Sequence, residues 1–115
     1  MTDPTPSQLA QRQLEAYNAH DLEAFAACYH PQVEVRDFPA GTLRLEGIAA
    51  FRERYAEVLA RPGLRAEVLQ RIAQGSFVID EERVVGLREG VVPAVAIYEV
   101  AEGLIRRVWF VRERT

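Results

Sequence analysis

The sequence contains one cysteine, two histidines and no lysine among its 115 residues. Cys28 therefore cannot form an internal disulfide, and we expect it to be a small core residue. Together with His20 and His30 it builds no familiar zinc spacing, so we predict no metal site. All fourteen basic residues are arginines, interleaved with glutamates rather than gathered into a stripe. A nucleic acid is therefore not an expected partner.

Long apolar runs are also missing from the sequence. None approaches the ~18 residues of a membrane-spanning helix, so no membrane association is expected. Residues 1–6 lack the charged and apolar regions of a signal peptide, which favours a cytoplasmic protein. The length suits one domain over residues 1–115, and a hydrophobic content of 49% is enough for one core.

Three helices are predicted in the first half of the chain. Thr5, Pro6 and Gln8 form a capping-box start for a helix that runs to about Asn18. Asp21 is the predicted N-cap of a short second helix. Its apolar stripe comprises Leu22, Phe25, Ala26 and Tyr29. A third helix begins near Gly47 and ends before Pro62-Gly63.

The remaining segments alternate as strands do. The first strand, 33–38, places Val33, Val35 and Asp37 on one face. Four further strands, joined by short turns, are expected to be antiparallel neighbours. Their predicted ranges are 65–73, 76–88, 93–100 and 104–112. Helices followed by clustered strands predict an α+β fold in which the helices cover one face of a sheet.

The last two predicted strands carry apolar residues on both faces. One face can cover the core, whereas the other needs a second apolar surface. Tyr98 and Trp109 are the largest of these residues and suit either a pocket wall or an interface. We therefore expect a homodimer that forms through the sheet.

Four segments occur in an order and spacing typical of one superfamily. They are AHDLEAF at 19–25, YHPQVEVRD at 29–37, GIAAF at 47–51 and AIYEVAEGLIRRV at 96–108. Together they resemble the NTF2-like superfamily, especially its SnoaL-like and ketosteroid-isomerase-like members. The resemblance implies a cystatin-like cone with a curved, mostly antiparallel sheet, an internal pocket and commonly a homodimer. Such proteins include isomerases, polyketide cyclases, dehydratases, epoxide hydrolases and proteins without catalysis.

The resemblance also implies roles for individual residues. Asp37 stands where ketosteroid isomerases have their general-base aspartate, and Tyr29 and Tyr55 match two tyrosines of their pocket network. Gln13 replaces the tyrosine that donates to the oxyanion, and Ala96 replaces the protonated aspartate. Loss of an oxyanion donor commonly costs ~10²–10³ in rate, so efficient steroid isomerisation is not expected.

The residues themselves leave alternatives open. Asp37 is either a desolvated base on the inward strand face or a turn-capping aspartate. Gln13, on a helix face that should be buried, is either a pocket donor or a structural partner of Tyr29 or Tyr55. Tyr17 shares such a face, and its hydroxyl is either a ligand donor or locally satisfied.

Two further sets of charges need an interpretation. Arg52 borders the apolar face of the third helix, where it either pairs with Asp37, binds an anionic substrate or lies on the surface. Asp80, Glu81, Glu82 and Arg83 interrupt an apolar strand. Carboxylates in a pocket suit acid–base work, but alternation does not say which of them point inward, because a bulge would swap the faces.

Three functions follow from these observations. The first is a cofactor-free isomerase or cyclase in which Asp37 moves a proton on a small apolar molecule. Its ligand site would comprise Gln13, Tyr17, Tyr29, Arg52, Tyr55, Ala96 and Tyr98. The second is a non-catalytic homodimeric module that binds an apolar ligand or a protein. The third is a dehydratase or epoxide-hydrolase-like enzyme, which an inward Arg52 or Glu82 would favour.

Overall fold

The computed structural model describes residues 2–112, with the side chains of 2–111. The helices in this range are α1 (Pro6–Asn18), α2 (Leu22–Ala26) and α3 (Ile48–Leu59). The strands are β1 (Tyr29–Asp37), β2 (Leu43–Glu46), β3 (Arg65–Gln74), β4 (Phe77–Val85), β5 (Val92–Ala101) and β6 (Leu104–Arg112). The predicted α+β fold is confirmed.

The first two helices begin where the sequence predicts. Thr5 Oγ1 accepts a hydrogen bond from the Gln8 amide at 3.1 Å, and Gln8 Oε1 accepts from the Thr5 amide at 2.8 Å. This reciprocal pair satisfies two backbone donors that a helix start leaves without partners. Asp21 Oδ1 does the same for the Ala24 amide at 3.1 Å, which fixes the start of α2.

The six strands form one sheet in the order β2-β1-β6-β5-β4-β3. β1 and β6 are parallel, and all other neighbouring strands are antiparallel. The C-terminal strand β6 therefore lies inside the sheet, between β1 and β5. Three consecutive hairpins, β5–β6, β4–β5 and β3–β4, extend the sheet from there, so β4 and β3 lie opposite α1.

Two side chains attach the helices to the sheet. Asn18, at the end of α1, donates to the Ala66 carbonyl at 2.9 Å and accepts from the Ala66 amide at 2.7 Å. The ring nitrogens of His20 lie 2.8 Å and 3.0 Å from the carbonyl oxygens of Leu59 and Leu64. These contacts hold α1 and the end of α3 over the sheet, and one contiguous hydrophobic core fills the space between.

The structure differs from the sequence prediction at three element boundaries. α2 ends at Ala26, and Tyr29 begins β1 instead of continuing the helix, because strand pairing already starts at Tyr29 opposite Ile105. The short edge strand β2 is not predicted, since its four residues give too little alternation. β4 ends at Val85 and not at position 88, because Gly86 turns the chain with a φ of 89°.

Within the described residues, no helix has both the length and the apolar character needed to cross a membrane.

Candidate functional site

A cavity of about 610 Å³ lies between the helices and the inner face of the sheet. Its walls combine aromatic and aliphatic side chains with a few polar groups, which is the usual make-up of a small-molecule site. The polar or charged side chains on its walls are Gln13, Tyr17, Tyr29, Asp37, Arg44, Arg54, Tyr55, Arg61, Glu82, Arg88 and Tyr98.

The helical wall of the cavity is built around Phe25. Its ring centroid lies 5.9 Å from that of Tyr17, 5.1 Å from Tyr29 and 4.9 Å from Tyr55. Tilted aromatic pairs at these separations attract one another and lock the ring orientations. The three tyrosines predicted from the sequence therefore share one wall, although they come from α1, β1 and α3.

Gln13 projects from α1 into the cavity and is only 4% exposed. Its Oε1 accepts a 2.9 Å hydrogen bond from the Tyr29 hydroxyl, and its Nε2 donates to the Ala10 carbonyl at 3.0 Å. Burial raises the pKa of Tyr29 well above its usual value, so the hydroxyl stays protonated and acts as the donor. The amide nitrogen keeps a second hydrogen that a ligand oxygen can accept.

Strand β4 presents two acidic side chains to the interior. Asp80 is fully buried and Glu82 is 7% exposed, whereas Glu81 and Arg83 point to the other face. The alternation along β4 is regular, so Val78 and Val84 share the inner face with the two acids. The sequence leaves open which of these charged residues face inward. In the structure Glu82 lines the cavity, and Glu81 does not.

Asp80 is neutralised by an arginine from the neighbouring strand. Arg71 donates to both carboxylate oxygens, at 2.7 Å and 3.1 Å, and also to Oε1 of Gln11 at 3.0 Å. A β-bulge at Leu69 makes this pairing possible, because it shifts the register so that Arg71 lies opposite Asp80. If Leu69 were instead paired regularly with Glu81, Arg71 would lie opposite Ile79 and point to the outer face.

Among residues 2–111, no cation forms an ion pair with Glu82, and Arg71 acts on it only from a distance. The hydroxyl of Tyr98 lies 3.4 Å from Oε2 of Glu82, and burial keeps the pKa of Tyr98 well above its usual value. Burial, together with the neighbouring negative charge of Asp80, raises the pKa of Glu82 to about 7. A carboxyl with this pKa exchanges protons readily near neutral pH, which makes Glu82 the strongest acid–base candidate on the cavity wall.

Asp37 lines the cavity at its open side, as the last residue of β1. Its side chain is 28% exposed and binds Arg44, with Oδ2 at 2.6 Å from Nε and 2.5 Å from Nη2. Its backbone also closes the following turn, since its carbonyl accepts from the Gly41 amide at 2.8 Å. The side chain that the sequence favours as a base thus belongs to an ion pair at the edge of the site.

Two of the predicted ligand residues lie away from the cavity surface. Arg52 points outward and pairs with Glu23 of α2. Ala96 is fully buried on β5, opposite Asp80 and Phe110, and it is not part of the lining. Tyr98 does line the cavity, beside Glu82.

Arg71 is not identified from the sequence, and Glu82 is named there only as a residue that would favour a dehydratase or epoxide-hydrolase-like enzyme. The period-two alternation of β4 places Glu82 on the same face as the apolar residues Val78 and Val84, so a signal for it exists. No comparable signal exists for Arg71, because its direction depends on the bulge in β3. Among the described residues, no group of three histidines, cysteines or carboxylates is arranged to hold a metal ion.

Solved structures of other proteins share this architecture. An uncharacterised cystatin-fold protein from Novosphingobium aromaticivorans superimposes with a TM-score of 0.87 at 23% identity, covering 95% of this chain and 99% of its own. A protein from Kribbella flavida, provisionally named a ketosteroid isomerase, superimposes with a TM-score of 0.80 at 21% identity. The match covers 96% of this chain and 78% of the other. An LEH-like epoxide hydrolase from M. tuberculosis superimposes with a TM-score of 0.79 at 16% identity. The match covers 94% of this chain and 82% of the other.

Identities this low carry information about the fold alone, because the same fold hosts different chemistries. Among curated proteins, none matches the chain by sequence. The family model for the SnoaL-like domain, in contrast, matches residues 10–108. This range contains most of α1, all of α2 and α3, both inward acids and every residue of the cavity wall except Phe110. The chain is therefore a member of the SnoaL-like domain family, within the NTF2-like superfamily.

Proposed function

We propose that this protein is a cofactor-independent acid–base enzyme that moves a proton on a small apolar carbonyl compound, with Glu82 as the proton-transfer group. The observation that carries the proposal is a buried carboxyl on the cavity wall with a pKa of about 7. Both protonation states of such a group are populated near neutral pH, which suits general acid–base catalysis. A carboxyl buried only for stability is expected to be paired with a cation, as Asp80 is with Arg71.

In the proposed reaction, the ionised Glu82 removes a proton from a carbon next to the substrate carbonyl. The electron pair of the broken C–H bond moves onto the carbonyl oxygen and gives an enolate. In a substrate with a C=C bond one carbon further from the carbonyl, this enolate is conjugated with that bond. The Glu82 carboxyl then returns the proton to the far carbon of the C=C bond, the double bond moves next to the re-formed carbonyl, and the Glu82 carboxylate is restored. No atom is gained or lost, and no oxidant or reductant is required.

Gln13 is the group that we assign to the enolate oxygen. Its amide is held by Tyr29 and by the Ala10 carbonyl, so its second N–H is oriented before the substrate arrives. A preorganised donor of this kind contributes ~10²–10³ in rate. The aromatic wall around Phe25 supports the proposal further, because it limits the water that would compete for the enolate.

Exchange of α-protons for deuterium tests the proposal without knowledge of the natural substrate. Cyclic ketones and enones are incubated with the protein in D₂O, and loss of the α-proton signal is followed by NMR. We expect Glu82→Gln to lower the exchange rate by roughly 10²-fold or more. Glu81→Gln, on the neighbouring residue of β4 but on the outer face, is the matched control and is expected to keep the wild-type rate.

Asp37→Asn distinguishes the two carboxyls of the cavity wall. Wild-type exchange in Asp37→Asn together with loss in Glu82→Gln supports the proposal. Loss of exchange in Asp37→Asn together with wild-type exchange in Glu82→Gln would assign the proton transfer to Asp37, as the sequence predicts, and would reject Glu82. Ligand binding without exchange of any tested ketone or enone favours the non-catalytic binding module.

Hydrolysis of an epoxide is the second candidate function. It is favoured by the inward position of Glu82, whose carboxylate would take a proton from water while the water oxygen attacks an epoxide carbon. The C–O bond of the ring then breaks, and the ring oxygen receives the proton that Glu82 has taken from the water, which restores the carboxylate. Mass spectrometry separates the two candidates, because hydrolysis adds one water to the substrate and isomerisation leaves its mass unchanged.

We also propose that the protein is a homodimer formed through the outer face of the sheet. Ile72, Ile79, Ile97 and Trp109 lie directly opposite one another on β3, β4, β5 and β6, which gives an apolar row across four strands. Ile72 is 63% exposed and Ile79 is 37% exposed. Charges of both signs border the row and pair with one another within the chain, so a second copy related by a twofold axis can cover the row without leaving one of these charges unpaired. These residues are Glu34, Arg36, Glu81, Arg83, Glu99 and Arg107.

Light scattering after size exclusion tests the dimer. Ile79→Arg places a charge in the middle of the apolar row and is expected to yield a monomer. Val91→Arg is the control, because Val91 is 58% exposed but lies in the β4–β5 loop, away from the row. A wild-type protein that runs as a monomer, or an Ile79→Arg variant that stays dimeric, contradicts the proposal.

A further inference from the structure

Five charged residues of the cavity wall are partly or largely exposed and therefore border its opening. This group, here called the rim, consists of Asp37, Arg44, Arg54, Arg61 and Arg88. Four arginines thus stand against one aspartate in a protein whose net charge is −3. The positive charge is concentrated at the opening of the cavity and is not a property of the whole surface.

Two of the rim arginines already have structural partners. Arg44 binds Asp37. Arg61 binds Glu57 of α3 and donates to the carbonyl of Leu87 in the β4–β5 loop. Arg61 thereby ties this loop to the end of α3. The loop is also held through Gly86, which lies against the backbone of Leu64. The chain is therefore fixed immediately before Arg88.

Arg54 and Arg88 are different, because neither forms an ion pair with a carboxylate of residues 2–111. Arg54 lies on α3 next to Tyr55 of the cavity wall, and Arg88 follows the anchored Leu87. Both side chains are exposed and both line the cavity. Guanidinium groups at the opening of an apolar cavity that pair with no carboxylate of residues 2–111 are suited to bind a carboxylate, sulfonate or phosphate of a ligand.

We propose that the cavity takes amphipathic anions, whose apolar body fills the interior while an anionic group binds Arg54 and Arg88 at the rim. This rests on the proposed function and narrows its substrate class, because the apolar carbonyl compound of the same site would also carry an anionic group. The polarity of the cavity sets the direction of binding. A carboxylate inside would lie among the aromatic rings and face the carboxyl of Glu82, which is unfavourable without a cation. At the rim the same group meets arginines and water, so the apolar end enters first.

This orientation brings the apolar part of the ligand to Glu82 and removes the anionic group from it. One of the roles that the sequence predicts for Arg52 on α3 is the binding of an anionic substrate, but Arg52 pairs with Glu23 instead. Arg54, two residues further along, takes that role here. The positive rim also attracts anions from solution before contact, an effect that weakens as salt is added.

Two fluorescent probes that differ in one group test this inference. Anilinonaphthalene sulfonate has an aromatic body with an anionic group, and phenylnaphthylamine has the same body without the charge. Dissociation constants are measured for the wild type and for Arg54→Gln/Arg88→Gln. We expect the double variant to bind the sulfonate at least roughly tenfold more weakly and phenylnaphthylamine unchanged. Arg65→Gln, an exposed arginine that does not line the cavity, is the control and should change neither constant.

Added salt gives a second readout with the same proteins. Salt should weaken the binding of the sulfonate to the wild type and have little effect on its binding to the double variant. Equal affinity of the double variant and the wild type for the sulfonate overturns the inference, and so does an equal loss for both probes. Selective loss of the sulfonate supports it even if Glu82→Gln leaves proton exchange intact, a result that would reject only the proposed reaction.

Discussion

The Tyr29 hydroxyl and the Gln13 side chain form a 2.9 Å hydrogen bond inside the cavity wall, between the first strand and the first helix. Both residues are buried, and the same amide also donates to the Ala10 carbonyl. The bond therefore fixes the direction of the one amide hydrogen that remains for a ligand.

Tyr29→Phe removes the donor and leaves Gln13 Oε1 without this partner. We expect a loss of about 1–2 kcal/mol in the free energy of unfolding, measured by urea denaturation. A double-mutant cycle with Gln13→Met supplies the control, because in that background the hydroxyl has no amide to bind. An equal loss in both backgrounds would show that the hydroxyl acts through another contact.

Glu82 makes stability depend on pH. Its pKa is about 7 in the folded protein against an ordinary value of 4.5, so the folded state holds a proton that the unfolded state releases. The stability that this bound proton contributes is fully present below about pH 4.5 and is lost as the pH rises through 7. Glu82→Gln should therefore match the wild type near pH 5 and exceed it at pH 8, by up to about 3 kcal/mol. Thermal melts at the two pH values measure this difference.

The outer-face variant Glu81→Gln provides the comparison for that experiment. Glu81 points away from the cavity, and Glu81→Gln should keep the pH-dependent difference in stability that Glu82 causes. If Glu82→Gln and the wild type lose stability in parallel between pH 5 and pH 8, the raised pKa is refuted.

Asp80→Asn should lower the pKa of Glu82 below its value of about 7. The substitution removes a nearby negative charge and leaves the positive charge of Arg71 uncompensated, and both changes favour the ionised form of Glu82. Titration of the glutamate side-chain carbons by NMR, with Glu82→Gln used for assignment, measures the shift. An unchanged or higher pKa would mean that burial alone raises it.

Gly86→Ala should destabilise the protein more than Gly90→Ala. Both glycines have positive φ, 89° and 79°, so alanine is strained at either position. A Cβ at position 86 would also lie 2.6 Å from the Cα of Leu64, whereas at position 90 it would meet nothing within 4 Å. We expect an additional loss of at least about 1 kcal/mol for Gly86→Ala in urea denaturation. Equal losses would show that the loop moves away from Leu64 at little cost.

The parts of the fold that follow from local signals are predictable from the sequence. The capping box at Thr5 and the N-cap at Asp21 lie within a few residues of the groups that they satisfy, and the last strand follows from its alternation. The end of α2 does not follow in this way. Tyr29 fits the helical stripe, but pairing with Ile105, a residue distant in sequence, places it in a strand.

The candidate site shows the same division. Gln13 and the tyrosines of the aromatic wall can be identified from helix faces and from the family resemblance. The direction of Arg71 depends on one additional residue, Leu69, and a β-bulge has no fixed sequence signature. The pKa of Glu82 depends in turn on its burial and on Asp80, which are properties of the assembled cavity and not of a motif.

The interior position of β6 has a consequence for biosynthesis. During translation, β1 has no neighbour on one side until β6 has left the ribosome, since residues 29–37 pair with residues 105–110. The nascent chain must therefore keep the inner face of β1 and the helical wall without their final cover until nearly all of the described chain is made. Such long-range pairing slows folding and exposes apolar surface in the meantime. Chaperone contact with β1 and the helical wall should thus persist until β6 has emerged and paired with β1.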